Sequence, residues 1–118
     1  MAPRKPGDLP KPPTHLKPAT RRWFADVCSL YELEQHHVRL LTLAAEAWDR
    51  CQAAREAISE DGMTYVDRFK APRARPEVAI ERDSRVAFAR LLRELDLDVE
   101  PPAEPSRAPS LISNRRTT

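Results

Sequence analysis

Residues 34–60, EQHHVRLLTLAAEAWDRCQAAREAISE, decide the fold. At about 100° per residue, Leu40, Leu43, Ala44, Ala47, Trp48, Cys51, Ala54 and Ile58 line up as one apolar stripe of a helix. Gly62, just past the pattern, is a natural C-terminal stop. At 1.5 Å rise per residue the helix reaches roughly 40 Å. A rod of that length exposes flanks that one short helix cannot cover, so partners or self-association are expected to contribute to stability.

On its N-terminal side, Thr20, Trp23, Phe24, Val27, Leu30 and Tyr31 share one side of a shorter helix over residues 18–31, with Arg21, Arg22, Asp26 and Ser29 opposite. Pro18 suits the first turn, where its missing N–H costs nothing. The Tyr31-Glu32-Leu33 step breaks the phase between the two helices. On the C-terminal side, residues 63–75, MTYVDRFKAPRAR, lose helical period. Thr64, Tyr65, Val66 and Phe69 suit a loop with a short extended or hairpin segment. Pro76 then opens a third helix over 76–95, with Glu77 placed for the helix dipole. Its inner stripe is Ile80, Ser84, Ala87, Phe88, Leu91, Leu92 and Leu95.

Most of the twelve prolines lie outside this region. Proline fixes φ and lacks a donor, so both ends read as extended and solvated. The expected organisation is a disordered basic arm over 1–17, a helical core over 18–97 and a disordered proline-rich tail over 98–118. The fold class is mainly α: a small helical bundle with one long central helix, a short loop or hairpin, and proline-rich tails.

Several chemistries are argued against by residue type and spacing. His36 and His37 are neighbours on a helix, pointing about 100° apart, and the spacing argues against both gripping one metal ion as an i, i+4 pair does. Cys28 and Cys51 sit among helical apolar residues with no CxxC pair, as free core thiols of a reducing cytoplasm would. With Gly7 and Gly62 as the only glycines, no glycine-rich phosphate loop can be built. Glu81 and Asp83 face different sides of the third helix, against paired-carboxylate catalysis. No apolar run of about 18 residues exists to span a membrane, and no apolar N-terminal segment resembles a signal peptide. The expectation is a non-enzyme without cofactor or metal.

What remains is charge and helix surface. The net charge is only +2, but residues 1–22 carry six cations against Asp8 alone, a local +5. Arg4, Lys5, Lys11, Lys17, Arg21 and Arg22 are the first candidates for phosphate contact, and Arg68, Lys70, Arg73 and Arg75 of the loop the second. A lysine-proline arm also serves as plain solubilising disorder. On the third helix Arg82, Arg85, Arg90 and Arg93 gather opposite the core stripe, beside Val78, Val86 and Ala89. That face reads either as a solvated surface with pairs such as Glu81 with Arg85, or as a contact surface for another subunit or phosphates. Val78, Arg82, Arg85, Val86, Ala89 and, on the long helix, Trp48 are the candidate subunit contacts.

The order of these pieces is similar to a known family. HLKPATRRWFADVCSLYELEQHHVRLLTLAAEAWDRCQAAREAI, a glycine stop, TYVDRFKAPRARPEVAIERDSRVAFARLLRELDLD and a proline- and arginine-containing tail resemble the small terminase subunits of tailed bacteriophages and prophages. The resemblance covers about Pro12 to Pro102. Its most specific parts are YELEQHHVRLL, the Arg75-Pro76 junction, and LLRELDLDVEPP, similar to a Leu-Gly-Leu-x-Pro closure. Three positions depart from it: Asp96 and Lys70 stand where glycine is common, and His37 where aspartate is common. The Asp96 departure implies a less sharply turned exit from the third helix.

The resemblance implies a non-catalytic protein of the bacterial host cytoplasm. It would assemble as a homo-oligomeric ring, bind double-stranded viral DNA at the packaging-initiation site, and recruit the large terminase subunit with its ATPase and nuclease. The stretch from Asp96 to Pro109 is the candidate dock for that large subunit. Two other readings stay open: a helix-turn-helix transcriptional regulator, against which the second helix is about twice the usual recognition-helix length, and a helical adaptor that binds only protein.

Overall fold

The structure is a computed structural model describing residues 8–97. It contains three helices and one hairpin in the order α1 (Pro18–Leu30), α2 (Gln35–Asp61), β1 (Thr64–Val66), β2 (Pro72–Ala74) and α3 (Pro76–Glu94). Each helix boundary lies within one residue of the sequence expectation. The extended segment expected near Thr64 is an antiparallel hairpin, pairing Thr64 with Ala74, Tyr65 with Arg73 and Val66 with Pro72.

The boundaries follow from local chemistry. Proline occupies the first turn of both α1 and α3. Gly62 ends α2 at φ 85°, with its N–H bonded to the Ile58 carbonyl at 2.8 Å. A side chain there would meet no clash, so the left-handed backbone alone calls for glycine. The exit from α3 is as sharply turned as a glycine would allow, contrary to expectation. Asp96 itself adopts φ 61°, and the N–H of Leu97 reaches back to the Leu92 carbonyl at 2.9 Å. This is a Schellman closure with aspartate at its left-handed position.

α3 runs antiparallel to α2. Phe88 meets Trp48, Glu81 meets Cys51, and Leu95 shares a core cluster with Leu41. α1 packs on the first half of α2 and reaches α3 through Trp23, whose ring lies 5.9 Å from that of Phe88. The core sits at this three-helix end and comprises Leu16, Phe24, Val27, Cys28, Leu33, Leu41, Ala45 and Leu95. Leu16, which the sequence places in the arm, is only 4 % exposed, so packing begins ahead of Pro18. Among the described residues, the other end, from Ala54 to the hairpin and back to Val78, has two helices and no third to cover them.

Several stripe positions are corrected. In α2, Leu41 and Ala45 are fully buried while Leu43 and Trp48 are 52 % and 40 % exposed. In α1, Leu30 and Tyr31 face solvent and Cys28 takes the inner place. In α3, Ile80 and Ala87 are exposed, and Ser84 is the buried residue of the stripe's first half. The physical reason is common to all three. A helical wheel fixes which residues share a side, but the positions of the two neighbours decide where that side begins.

Candidate nucleic-acid interface

The hairpin is built around one carboxylate. Asp67 follows β1, and its Oδ1 accepts the backbone N–H of Phe69 at 2.8 Å and of Ala71 at 3.0 Å. Its Oδ2 accepts Arg73 Nε at 2.9 Å. The Asp67 N–H donates to the Ala71 carbonyl at 3.0 Å and the Lys70 N–H to the Asp67 carbonyl at 2.9 Å. Every one of these bonds favours the ionised carboxylate or the closed loop. The Ala71 amide first, then Arg73, hold the Asp67 carboxyl below its ordinary range.

The cations of the segment have different employments. Arg73 is committed to Asp67. Arg75 is half-buried, its guanidinium 5.9 Å from the Tyr65 ring centre. Arg68 and Lys70 are exposed at the tip on either side of Phe69, which is itself 73 % exposed. The Arg68 guanidinium lies 4.9 Å from the Phe69 ring centre. Lys70 has φ 64°, a conformation that costs a non-glycine residue on the order of 1–2 kcal/mol. Residues 64–75 carry four cations against one acid, a net +3. Sequence reading singled out these cations but missed Asp67 as the organiser; an acid two residues before an exposed aromatic, in a proline-bounded loop, is the signal that was there.

The first-choice cluster lies elsewhere. Lys17 and Arg22 are exposed beside the start of α1, with Arg21 half-buried between them. Pro12, Pro18, Arg21, Arg22 and Ala25 line a shallow groove of about 370 Å³. Lys11 is also exposed, while Arg4 and Lys5 lie outside the described residues. The Lys17 N–H donates to Asp49 Oδ2 at 2.8 Å, which fixes this end of α1 at the middle of α2. From Asp49 to the end of α2 is a further twelve residues, roughly 18 Å of helix. The two candidate groups of cations are therefore separate in the fold.

The candidate subunit face is divided as well. Arg85 Nε contacts Glu81 Oε2 at 3.3 Å and Arg82 Nε contacts Asp83 Oδ1 at 3.1 Å, as a solvated face would have them. Val78 is half-buried, while Val86 and Ala89 are exposed. Trp48 is engaged within the chain, its ring 5.1 Å from Phe88. A shallow groove of about 490 Å³ runs along α3 between Arg82, Val86, Arg90 and Leu91.

The histidine expectation needs revision. His36, His37 and Glu34 offer ligand atoms within 4.8 Å of one another, because the ring planes lean together at the start of α2 with centres 4.1 Å apart. However, His37 Nδ1 accepts the Glu34 N–H at 3.2 Å. In the neutral ring Nε2 then carries the proton, so neither nitrogen has a free lone pair unless the helix start opens. The arrangement is a capping box in which histidine takes the place of the usual acid.

The family model described as phage terminase, small subunit, matches residues 20–107, about three quarters of the chain. The chain belongs to that family. The match runs from the first turn of α1 through α2, the hairpin and α3, and membership connects this terminase small subunit with the packaging of phage DNA. No curated protein and no solved structure is significantly similar to it. Among the described residues, no helix is long and apolar enough to cross a membrane.

Proposed function

We propose that this terminase small subunit is a non-catalytic DNA-binding protein that assembles as a homo-oligomer and brings the large terminase subunit to viral DNA in the host cytoplasm. The family match over residues 20–107 is the observation that carries this reading. Two features support its physical side. The exposed cations of the α1 groove and of the hairpin tip offer phosphate contacts without base-specific geometry. The outer face of α3, with Val78 half-buried and Val86 and Ala89 exposed, is the kind of incompletely covered surface that a neighbouring copy would complete.

Repetition gives such weak basic surfaces their use. One subunit with a few phosphate contacts binds weakly at physiological salt, whereas several copies held in one assembly act at high effective concentration along the same duplex. A closed ring is the symmetric arrangement that repeats one contact without leaving an unpaired end. The segment beginning at Asp96 is the proposed dock for the large subunit; from Asp98 onward it lies outside the described residues.

Light scattering of the purified full chain, combined with duplex binding across a salt series, tests the proposal. Expected are a mass several times that of one chain and an affinity that falls steeply with salt. A strict monomer at all concentrations would remove the assembly, and absence of duplex binding at low salt would remove the DNA role.

A further inference from the structure

The DNA reading leaves unexplained why the most exposed aromatic of the molecule stands at the end of a loop organised around one carboxylate. Phe69 is 73 % exposed, yet the loop that carries it is fixed by three hydrogen bonds to one carboxylate. Hydrophobic burial would draw such a ring inward in a free loop; here the Asp67 bonds hold it out. The neighbouring Lys70 keeps a long cationic side chain in a left-handed conformation that glycine would adopt without strain. Strain maintained at an exposed tip points to a use for the side chain that bears it.

We propose that Arg68-Phe69-Lys70 is a wedge for double-stranded DNA: the Phe69 ring enters between two base pairs from the minor groove, and Arg68 and Lys70 hold the flanking phosphates. The proposal rests on the DNA-binding reading above and adds how that binding deforms its target. Apolar side chains inserted this way unstack one base step and kink the duplex by roughly 20–90°. The minor groove is flanked by the phosphates of both strands, which suits a tip with a cation on each side of the ring. The segment's net +3 favours phosphate over the hairpin of a second copy, which would bring the same charge against it. Ring insertion needs little from the rest of the fold, since every residue of β1 and β2 is exposed.

Such a wedge selects DNA by deformability. Pyrimidine–purine steps such as TA unstack most readily, so duplexes with central TA steps are bound more tightly than stiff A-tract duplexes of equal length. Sequence preference then arises with no hydrogen bond to a base edge.

End-labelled duplexes of both kinds, read by energy transfer between their ends, test the wedge in the full-length protein. The wild type is expected to shorten the end-to-end distance of the TA duplex. Phe69→Ala should abolish the shortening and weaken binding about tenfold with the salt slope unchanged, while Phe69→Leu, still an apolar wedge, should keep the bend. Because Phe69 is exposed, both variants should retain the wild-type circular dichroism spectrum. A benzophenone amino acid at position 69 should crosslink to DNA. Phe69→Ala protein that bends the duplex as the wild type does would overturn the wedge and leave the DNA role intact. Crosslinking at position 69 to a second copy in place of DNA would assign the tip to subunit contact and likewise overturn it. No duplex binding by the wild type would remove both readings together.

Discussion

The Thr20 hydroxyl donates to Asp49 Oδ1 at 2.5 Å, and the other oxygen of the same carboxylate takes the Lys17 N–H at 2.8 Å. One acid at the middle of α2 thus holds the start of α1, whose own N-cap has no side-chain bond. His15 Nε2 lies 2.8 Å from Glu46 one turn earlier, so the chain ahead of α1 is tied to α2 at two levels. This placement presents the Arg21 and Arg22 groove at a fixed height on the bundle.

Replacing that carboxylate should therefore loosen α1. Asp49→Ala is expected to cost about 2 kcal/mol, the range for hydrogen bonds to a charged group. Asp49→Asn should cost less, since one oxygen still accepts. Urea unfolding followed by circular dichroism measures the stability, and hydrogen exchange should show the loss concentrated in residues 17–24.

Removing the ring at the centre of the core should be more severe. Phe24 is 1 % exposed and packs in the cluster with Leu41, which is fully buried. Phe24→Ala is expected to cost about 3–5 kcal/mol and Leu41→Ala about 2–5 kcal/mol. In a domain this small, either loss should populate the unfolded state at 37 °C, detected as a large fall in the urea midpoint.

The same core shows what could be read from the chain and what could not. Helix boundaries were legible because they are written in single residues: Pro18, Gly62 and Pro76 each act locally. The existence of a hairpin was legible in the lost period around Thr64 and Val66. The rotation of the stripes was not. Leu41 and Leu43 lie two residues apart and on different sides, and only the seat of α1 against α2 decides that Leu41 goes inside. At the candidate site, the cations were visible as types, but their division into committed Arg73 and exposed Arg68 depends on where Asp67 reaches.

The three departures from the family pattern are also structural positions. Lys70 and Asp96 both adopt left-handed φ, and His37 supplies the acceptor at the start of α2. Lys70→Gly should stabilise the protein by about 1 kcal/mol in thermal or urea unfolding. The gain from Asp96→Gly should be smaller, because aspartate tolerates this conformation better than lysine. If Lys70 contacts phosphate, its glycine variant should bind DNA more weakly with a salt slope reduced by about one, so stability and binding should move in opposite directions.

Acid should open the hairpin before it opens the bundle. The folded-state pKa of Asp67 lies below its ordinary value of 3.8, chiefly through the Ala71 amide and then Arg73. The resulting stabilisation is fully present above that ordinary value and is lost as pH falls through the depressed folded value. Amide resonances of Phe69 and Ala71 should accordingly hold steady at neutral pH and shift below it only in that acidic window. Asp67→Asn should abolish the transition and raise amide exchange at the tip at every pH.

The thiol of Cys51 responds at the opposite end of the scale. Its Sγ lies 3.7 Å from Glu81 Oε2, itself 3.8 Å from Arg55 Nε. Burial first, and the Glu81 charge second, raise its pKa above the ordinary 9.0, while Arg55 pulls the other way. Favouring the neutral thiol contributes stability below that ordinary value, lost as pH rises through the folded value. At neutral pH the group is therefore protonated and shielded, and a disulfide reagent should label it only as fast as the α2–α3 contact opens. Glu81→Gln removes the charge and keeps the shape, so the pH at which labelling accelerates should move down. Labelling at the wild-type pH midpoint in Glu81→Gln would show that burial alone sets the thiol, with the carboxylate serving only its arginines.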